Sequence, residues 1–528
     1  MRFFNNAGPV NCADHYCLDP LARIDLDAIE SLIEEKRYFI LHAPRQTGKT
    51  SSLLALMAHL NRQGRYRCLY INVEMAQSAR EDVGRAMRAI LGEVASRART
   101  HLHDDWLDRH WVEILEQSGA ERAFTEILTR WAAHSDRPLV LLIDEIDALI
   151  GDSLVAVLRQ LRAGYDKRPG AFPQTVVLCG VRDVRDYRIH SARSQEIITG
   201  GSAFNIKAES IRLGNFTAAD VAALYRQHTA ETGQPFTADA VALIWDLTRG
   251  QPWLVNALGY QLCFRNPTTR ERTLTITAEW VEQAKEVLIA RRDTHLDQLA
   301  DKLREPRVRR IVEPMLTGGE VQQSAHEDDV QYVTDLGLVS RGSGVLAIAN
   351  PIYREIIPRQ LTAVQQIDFE AQYQSAWYIG PDGRLDLAKL IAAFQVFFRE
   401  HSEHWIERFD YKEAGPQLLL QAFLQRIVNG GGRIEREYGL GRMRTDLLIL
   451  WPYGVGQVQK AVMELKILHK GLARTIAAGL AQTYEYRDRC AADEAHLLIF
   501  DRSERAWSEK VFRRSEQFQG VAIEVWGM

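Results

Sequence analysis

Cysteine is scarce, with six in 528 residues. So few in so long a chain make no disulfide framework. Cys12, His15 and Cys17 lie close together, but no second ligand pair follows at zinc spacing, so zinc is not expected there. An excess of charge of one sign is also lacking: 65 Lys and Arg face 69 Asp and Glu, a formal net charge of −4. That excludes a globally basic coat for nucleic acid, although not a local basic groove. No apolar run reaches the ~18–20 residues of a membrane span, so no membrane partner is expected. The opening residues Met1-Arg2-Phe3-Phe4-Asn5-Asn6-Ala7-Gly8 hold no apolar signal core. Secretion is not expected, and the cytoplasm is the expected compartment. Solenoid repeats and low-complexity tracts are absent. What is present is an ordinary globular mixture, 46% hydrophobic and 25% charged, long enough for roughly three to four domains.

Residues 1–205 alternate short apolar runs with helical patterns. The runs are Tyr38–Leu41, Cys68–Val73, Leu139–Ile143 and Val176–Cys179. Continuous apolar runs separated by helices predict a parallel sheet covered on both faces. Residues 206–300 read as helical, with Asn215 to Asp220 resembling a cap followed by an amphipathic helix. Residues 301–360 read as helices followed by two short strands around Gly342-Ser343-Gly344, a small wing. A helical connector spans 361–405. Residues 406–528 change character. The expected order is a helix over 415–428 ending at Gly430-Gly431-Gly432, strands 433–438, 444–451 and 461–467, a helix over 471–490, strand 495–500, helix 506–517 and strand 521–526. That is a mixed α/β module of its own.

The first chemical signal is Ala43-Pro44-Arg45-Gln46-Thr47-Gly48-Lys49-Thr50, set between a strand and a helix. It fits the P-loop pattern, with Ala in the place of the first Gly. Such a turn wraps backbone N–H groups around a phosphate. Gly48 permits close approach, Lys49 reaches the β- and γ-phosphates of ATP, and Thr50 ligates Mg²⁺. The second signal is strand 139–143 running into Asp144-Glu145. Asp144 is placed to hold Mg²⁺, and Glu145 to orient or deprotonate the attacking water. Asp147 reads as structural or as a cap. Arg182, at a neighbouring strand tip, can sense the γ-phosphate. Arg185, Arg188 and Arg193 are unranked candidates for an arginine finger supplied to another copy, which makes a homo-oligomer conceivable.

Residues 1–360 resemble the AAA-like ATPases of the STAND and archaeal kind. The matching residues are Ala43 to Thr50, Asp144-Glu145, the strand ending at Arg182, and Gly250-Gln251-Pro252-Trp253. The resemblance implies a P-loop NTPase core, a helical lid carrying the Gly-x-Pro element near the nucleotide, and a following winged helix. It implies a molecular switch in which ATP binding or hydrolysis moves the lid and wing. The segment from Asp14 to Asp25 lies where this group contacts the adenine base; a structural wrap is the equal alternative.

In the C-terminal module, Glu464-Leu465-Lys466 ends the apolar strand Ala461-Val462-Met463, and Asp446 lies on the strand before it. Glu464 and Lys466 share a face because strand periodicity is two. Two carboxylates can hold one or two Mg²⁺ ions. A held metal lowers the pKa of a bound water, and a neighbouring lysine can orient or help deprotonate it. Phosphodiester hydrolysis needs this combination. The module resembles the PD-(D/E)xK nuclease superfamily, in the branch fused behind AAA-like ATPases. Asp446, Glu464 and Lys466 match the core motif, with Thr445 where Pro often stands. The resemblance adds Gln482 and, four residues on, Tyr486. It also suggests Glu435 or Glu437 with Gly439, Gly441 and Arg442 as the lead-in, and Glu413 as an extra carboxylate.

The expectation is thus an α/β chain: an ATP- and Mg²⁺-dependent switch over a metal-dependent nuclease acting on DNA rather than RNA. The alternative is a regulatory or scaffolding ATPase whose nuclease-like module only binds. Trp106, Trp111 and Trp131 read as core, and His101-Leu102-His103-Asp104-Asp105 as a solvated polar loop.

Overall fold

The structure is a computed structural model. It describes residues 1–182, 189–190, 197–198, 209–291, 302–303, 305–316, 327–342, 345–357, 378–408, 420, 423–424, 432–440, 443–454, 456–468, 471–501, 503 and 505–528. The chain divides into two compact units. The first is Met1–Leu299 with Ala325–Tyr353, and the second Ala300–Ser324 with Arg354–Met528.

In the first unit, helix α1 (Leu26–Glu34) precedes strand β1 (Phe39–His42), helix α2 (Lys49–Gln63) and strand β2 (Arg67–Asn72). Helices α3 (Val83–Leu102), α4 (Trp106–Ser118) and α5 (Ala123–His134) lead to β3 (Leu139–Asp144), α6 (Asp152–Ala163) and β4 (Thr175–Gly180). A small hairpin, β5 (Ile189–His190) with β6 (Ile197–Ile198), precedes β7 (Glu209–Arg212). The parallel five-stranded sheet has the order β2-β3-β4-β1-β7. Strands β1, β3 and β4 are buried along their whole length, so both faces are covered as the apolar runs predict. Alternate residues feed opposite cores: Tyr38, Ile40, Leu69 and Ile71 enter one, and Phe39, Leu41, Cys68 and Tyr70 the other. The sheet's last strand in the chain, β7, lies past residue 205; its short, part-exposed run gave no apolar signal.

Helices α7 (Ala218–Thr232), α8 (Ala238–Thr248), α9 (Pro252–Tyr260) and α10 (Ala278–Arg291) follow. Thr217 and Asp220 form a capping box at the start of α7, where the sequence suggested a cap. Gly250 precedes α9 at φ +71°, and a Cβ there would overlap the Phe216 carbonyl. Only glycine fits that crossing. The residues read as a single winged helix fall in both units. Helix Pro306–Leu316 belongs to the second, whereas helix Glu327–Asp335 and the hairpin of β8 (Val339–Gly342) and β9 (Val345–Ile348) belong to the first.

The second unit is built on a six-stranded mixed sheet. Its strands are β10 (Arg433–Leu440), β11 (Met443–Tyr453), β12 (Gln457–Ile467), β13 (Glu494–Phe500), β14 (Phe512–Phe518) and β15 (Val521–Gly527). Their order is β10-β11-β12-β13-β15-β14. Helix Leu472–Cys490 packs on β12 and β13, and Gly479 lets it sit close against Leu497. Helix Leu387–Arg408 covers part of the expected connector; residues 361–377 and most of the expected helix 415–428 lie outside the described residues. The expected helix 506–517 is corrected. A single turn, Trp507–Lys510, gives way to β14, an antiparallel edge strand against β15. Gln519 and Gly520 both take left-handed φ, 49° and 81°. That backbone matches the twist of a tight hairpin, and Phe512 occupies the space left by Gly527. Charged residues along β14 suit an edge as well as a helix face, which is why the periodicity misled.

Candidate nucleotide and metal sites

The loop after β1 turns through Gln46 and Gly48, at φ 57° and 90°. A left-handed non-glycine residue is strained and persists only where its surroundings fix it. Here they do. The Thr47 hydroxyl donates to the Pro44 carbonyl at 2.7 Å. The buried Lys49 ammonium donates to the carbonyls of Ala43 at 3.0 Å and Pro44 at 3.1 Å. The loop Ala43-Pro44-Arg45-Gln46-Thr47-Gly48 thus closes over its own lysine at the first turn of α2, where helix N–H groups favour an anion.

Asp144, the last residue of β3, is fully buried. Its Oδ2 accepts from the Thr50 hydroxyl at 2.6 Å and from the Tyr70 hydroxyl at 3.0 Å. Its Oδ1 accepts from the Glu145 N–H at 2.9 Å. A hydroxyl and a carboxylate this close, beside a lysine, are a donor set that fits Mg²⁺. Glu145 adopts φ 56°. Burial pushes its carboxyl above the ordinary glutamate value; Lys49 opposes the shift, and Asp147 and Asp144 add to it. Asp147 is structural, accepting from the Val181 N–H at 3.2 Å and so bracing the tip of β4. The guanidinium of Arg182, next along, stacks 4.6 Å from the ring of Tyr332 on helix Glu327–Asp335. On the same side of the loop, Gly337 sits where a Cβ would approach Pro44 to 2.7 Å.

Two participants carried no signal in the sequence. Tyr70, on β2, buttresses Asp144 across the sheet. Arg23 donates to the Thr47 carbonyl at 2.6 Å and to the Gly214 carbonyl, and stacks 4.8 Å from the Phe216 ring. Burial pulls its pKa down to about 10, opposed by Asp220. Arg23 therefore ties the phosphate loop to the start of the helical segment. Beside it opens a cavity of ≈ 140 Å³. Its walls include the backbone turn around Asn6 and Gly8, Gln46 and Gly48 of the loop, and Trp253 and Asn256 of α9. The N-terminal residues are strapped over it. Arg2 bonds Glu231 at 2.8 and 2.9 Å, Trp253 donates to the Asn6 carbonyl at 2.9 Å, and Val10 N–H donates to Ser51 at 3.0 Å. Cys12 and Cys17 are joined in a disulfide within this strap, and the other four cysteines are buried free thiols.

In the second unit, β11 and β12 are antiparallel with Leu447 opposite Met463. Across β10, Arg436 faces Leu447 and Tyr438 faces Thr445. Glu464 is buried, and the Lys466 ammonium donates to its Oε1 at 2.7 Å. Gln482 is half-buried on helix Leu472–Cys490, and Tyr486 is buried one turn on. Among the described residues no group of three or more His, Cys, Asp or Glu converges as a metal cluster. Arg185, Arg188, Arg193, Glu413, Gly441 and Arg442 lie outside the described residues.

The row His101 to Asp105 is not simply a solvated loop. Asp104 is buried, accepts from the Trp131 indole at 3.0 Å and pairs with Arg67 at 3.0 Å. It joins the end of α3 to α5, and Trp131 is core as expected, with Trp106 and Trp111 packed against that core. No described helix is long and apolar enough to cross a membrane.

A family model described as an AAA-like domain matches residues 20–355. No curated protein matches the chain. Among solved structures, a Walker-type ATPase of Pyrococcus abyssi is similar at 14% identity and a TM-score of 0.46, over 67% of this chain and 99% of that one. Cdc6p from Pyrobaculum aerophilum is similar at 16% identity and a TM-score of 0.35, over 64% and 92%. The Thermotoga maritima RuvB Holliday junction branch migration motor is similar at 14% identity and 0.33, over 63% and 95%.

Proposed function

The chain belongs to the AAA-like domain family, and from that premise we propose that it is an ATP-hydrolysing switch governing a metal-dependent DNA endonuclease. One observation carries the first half: Thr50 and Asp144 meet at 2.6 Å beside a loop closed over Lys49. Ala43 to Thr50 bind the triphosphate. Lys49 exchanges its carbonyl partners for the β- and γ-phosphate oxygens. Thr50 and Asp144 hold Mg²⁺, which supplies positive charge to the transferring phosphoryl group. Glu145, its basicity raised by burial, orients the attacking water and takes its proton. Arg182, now on Tyr332, is the residue placed to report γ-phosphate to helix Glu327–Asp335. The proposed division keeps core 1–205 with β7 joined to it, a helical lid after β7 to 300, a wing within 301–360, connector 361–405 and nuclease-like module 406–528, working in the cytoplasm, with homo-oligomers supplying the arginine finger.

The second half rests on the register of β11 with β12 and on the Lys466–Glu464 pair. Asp446 and Glu464 hold the divalent cation, Lys466 orients the nucleophilic water, and Gln482 supports the site. The closed ion pair also favours a second reading, in which Lys466 and Glu464 are a structural pair and the module only binds nucleic acid or a protein. Cleavage of plasmid and linear DNA with Mg²⁺ or Mn²⁺, with and without ATP, separates the two. The nuclease reading expects cutting that Glu464→Ala abolishes while ATP turnover stays within about twofold, since that residue lies outside the phosphate loop. No cutting under any of these conditions favours the binding-only reading.

A further inference from the structure

Two residues on the wall of the cavity beside the phosphate loop carry a buried polar atom with no hydrogen-bond partner among the described residues: Arg23 at Nε and Asn256 at Oδ1. Asn256 lies on α9, one turn after Pro252, and lines the cavity. Its Nδ2 donates to the Pro252 carbonyl at 2.8 Å. A carbonyl can only accept, so this bond fixes which end of the amide is which. The other end is the oxygen. Asn256 Oδ1 is buried and has no hydrogen-bond partner among the described residues. A buried acceptor left without a donor costs free energy, and a ligand that supplies the donor recovers it. The wall beside Asn256 carries the apolar side chains of Phe216, Leu224, Pro252 and Trp253, the Trp253 indole being tied to the Asn6 carbonyl, while Arg23, Gln46 and Ser51 line it toward the phosphate loop. The cavity is continuous with Gln46 and Gly48. A nucleotide whose phosphates fill the loop therefore directs its base here.

We propose that Asn256 Oδ1 accepts a hydrogen bond from the exocyclic C6 amine of adenine and so selects ATP over 6-oxopurine nucleotides. The inference rests on the reading of Ala43 to Thr50 as the triphosphate site. Adenine carries a donor at C6. Hypoxanthine and guanine carry a carbonyl there, which would set acceptor against acceptor in a buried wall. Binding-pocket groups that lose a hydrogen-bond partner discriminate strongly for this reason.

The test measures displacement of a fluorescent ATP analogue from the full chain by ATP, by ITP and by the 6-deamino analogue purine riboside triphosphate, with Lys49→Ala and Asn256→Ala alongside. The parent is expected to bind ATP at least about 10-fold more tightly than either competitor. Asn256→Ala is expected to shrink that gap to about twofold or less, by weakening ATP and leaving ITP unchanged. A parent that binds ATP and the 6-deamino analogue equally overturns the proposal, whatever the variant does. So does an Asn256→Ala protein that keeps the full gap. If Lys49→Ala binds ATP as well as the parent does, the triphosphate reading itself falls, which is a separate failure.

Discussion

The phosphate loop of the first unit and the carboxylate patch of the second are built on opposite principles. Ala43 to Gly48 present mostly backbone, closed by bonds from Thr47 and Lys49 to carbonyls of the same loop. Its residues are contiguous in sequence, with Ala43 where the loop pattern has its first glycine. The Asp446 and Glu464 patch is backbone-neutral. As proposed, it draws Asp446 from β11 and Glu464 from β12, so a slip of one strand by one residue would turn its carboxylate to the other face. A site made of backbone tolerates substitution but needs strained turns. A site made of register needs every side chain and a sheet that cannot slide.

The largest effect that would break this contrast is at Glu145. Glu145→Gln is expected to slow ATP turnover by roughly 100- to 1,000-fold while ATP binding is kept, because it removes a proton acceptor and no phosphate contact. The pH dependence has a definite sign. The Glu145 carboxyl titrates above an ordinary glutamate, so the acid limb of the turnover profile lies above the ordinary glutamate range. A folded-state pKa above the unfolded one contributes stability below the unfolded pKa, and that contribution is lost as pH rises through the folded value. Glu145→Gln should therefore melt no lower than the parent at neutral pH. A variant that turns over ATP normally, or that melts early, would contradict the assignment.

A smaller effect sharpens the comparison from the side of stability. Asp104→Ala removes the nearer carboxylate of Arg67, leaving it Asp136 at 3.9 Å, and leaves the Trp131 indole without its acceptor. The expected loss is about 2–4 kcal/mol in the first unit. Urea unfolding followed by tryptophan fluorescence reads it as a lower midpoint at unchanged slope. A midpoint within error of the parent's would show that the pair is decorative.

Much of the first unit was legible in the sequence because its signals are local. Apolar runs gave β1 to β4, and the stretch from Asn215 to Asp220 marked a helix start. What escaped is held by contacts distant in the chain. Tyr70 reaches Asp144 from another strand, Arg23 reaches Thr47 and Gly214 from before the first strand, and β7 is a short strand with no apolar run. Asp104 looked solvated because its neighbours are polar, yet Trp131 and Arg67 bury it. In the second unit, β10 to β13 and the helix over 472–490 were legible from alternation, whereas β14 was not. Its hairpin signal, Gln519-Gly520, was present but outweighed by a charge pattern that fits an edge strand equally well. That Asp446 and Glu464 lie on neighbouring strands was legible in sequence, and β11 pairs with β12.

The most direct test of the account is phosphate release from ATP by the full chain in Mg²⁺, comparing the parent with Lys49→Ala. Loss of the one ammonium enclosed by the loop is expected to lower turnover by about 100-fold or more, on the order of 3 kcal/mol at the transition state. The same protein should fold with an unchanged melting temperature in the second unit. Turnover equal to the parent's would contradict the account at its centre, since no other reading of Ala43 to Thr50 places ATP there.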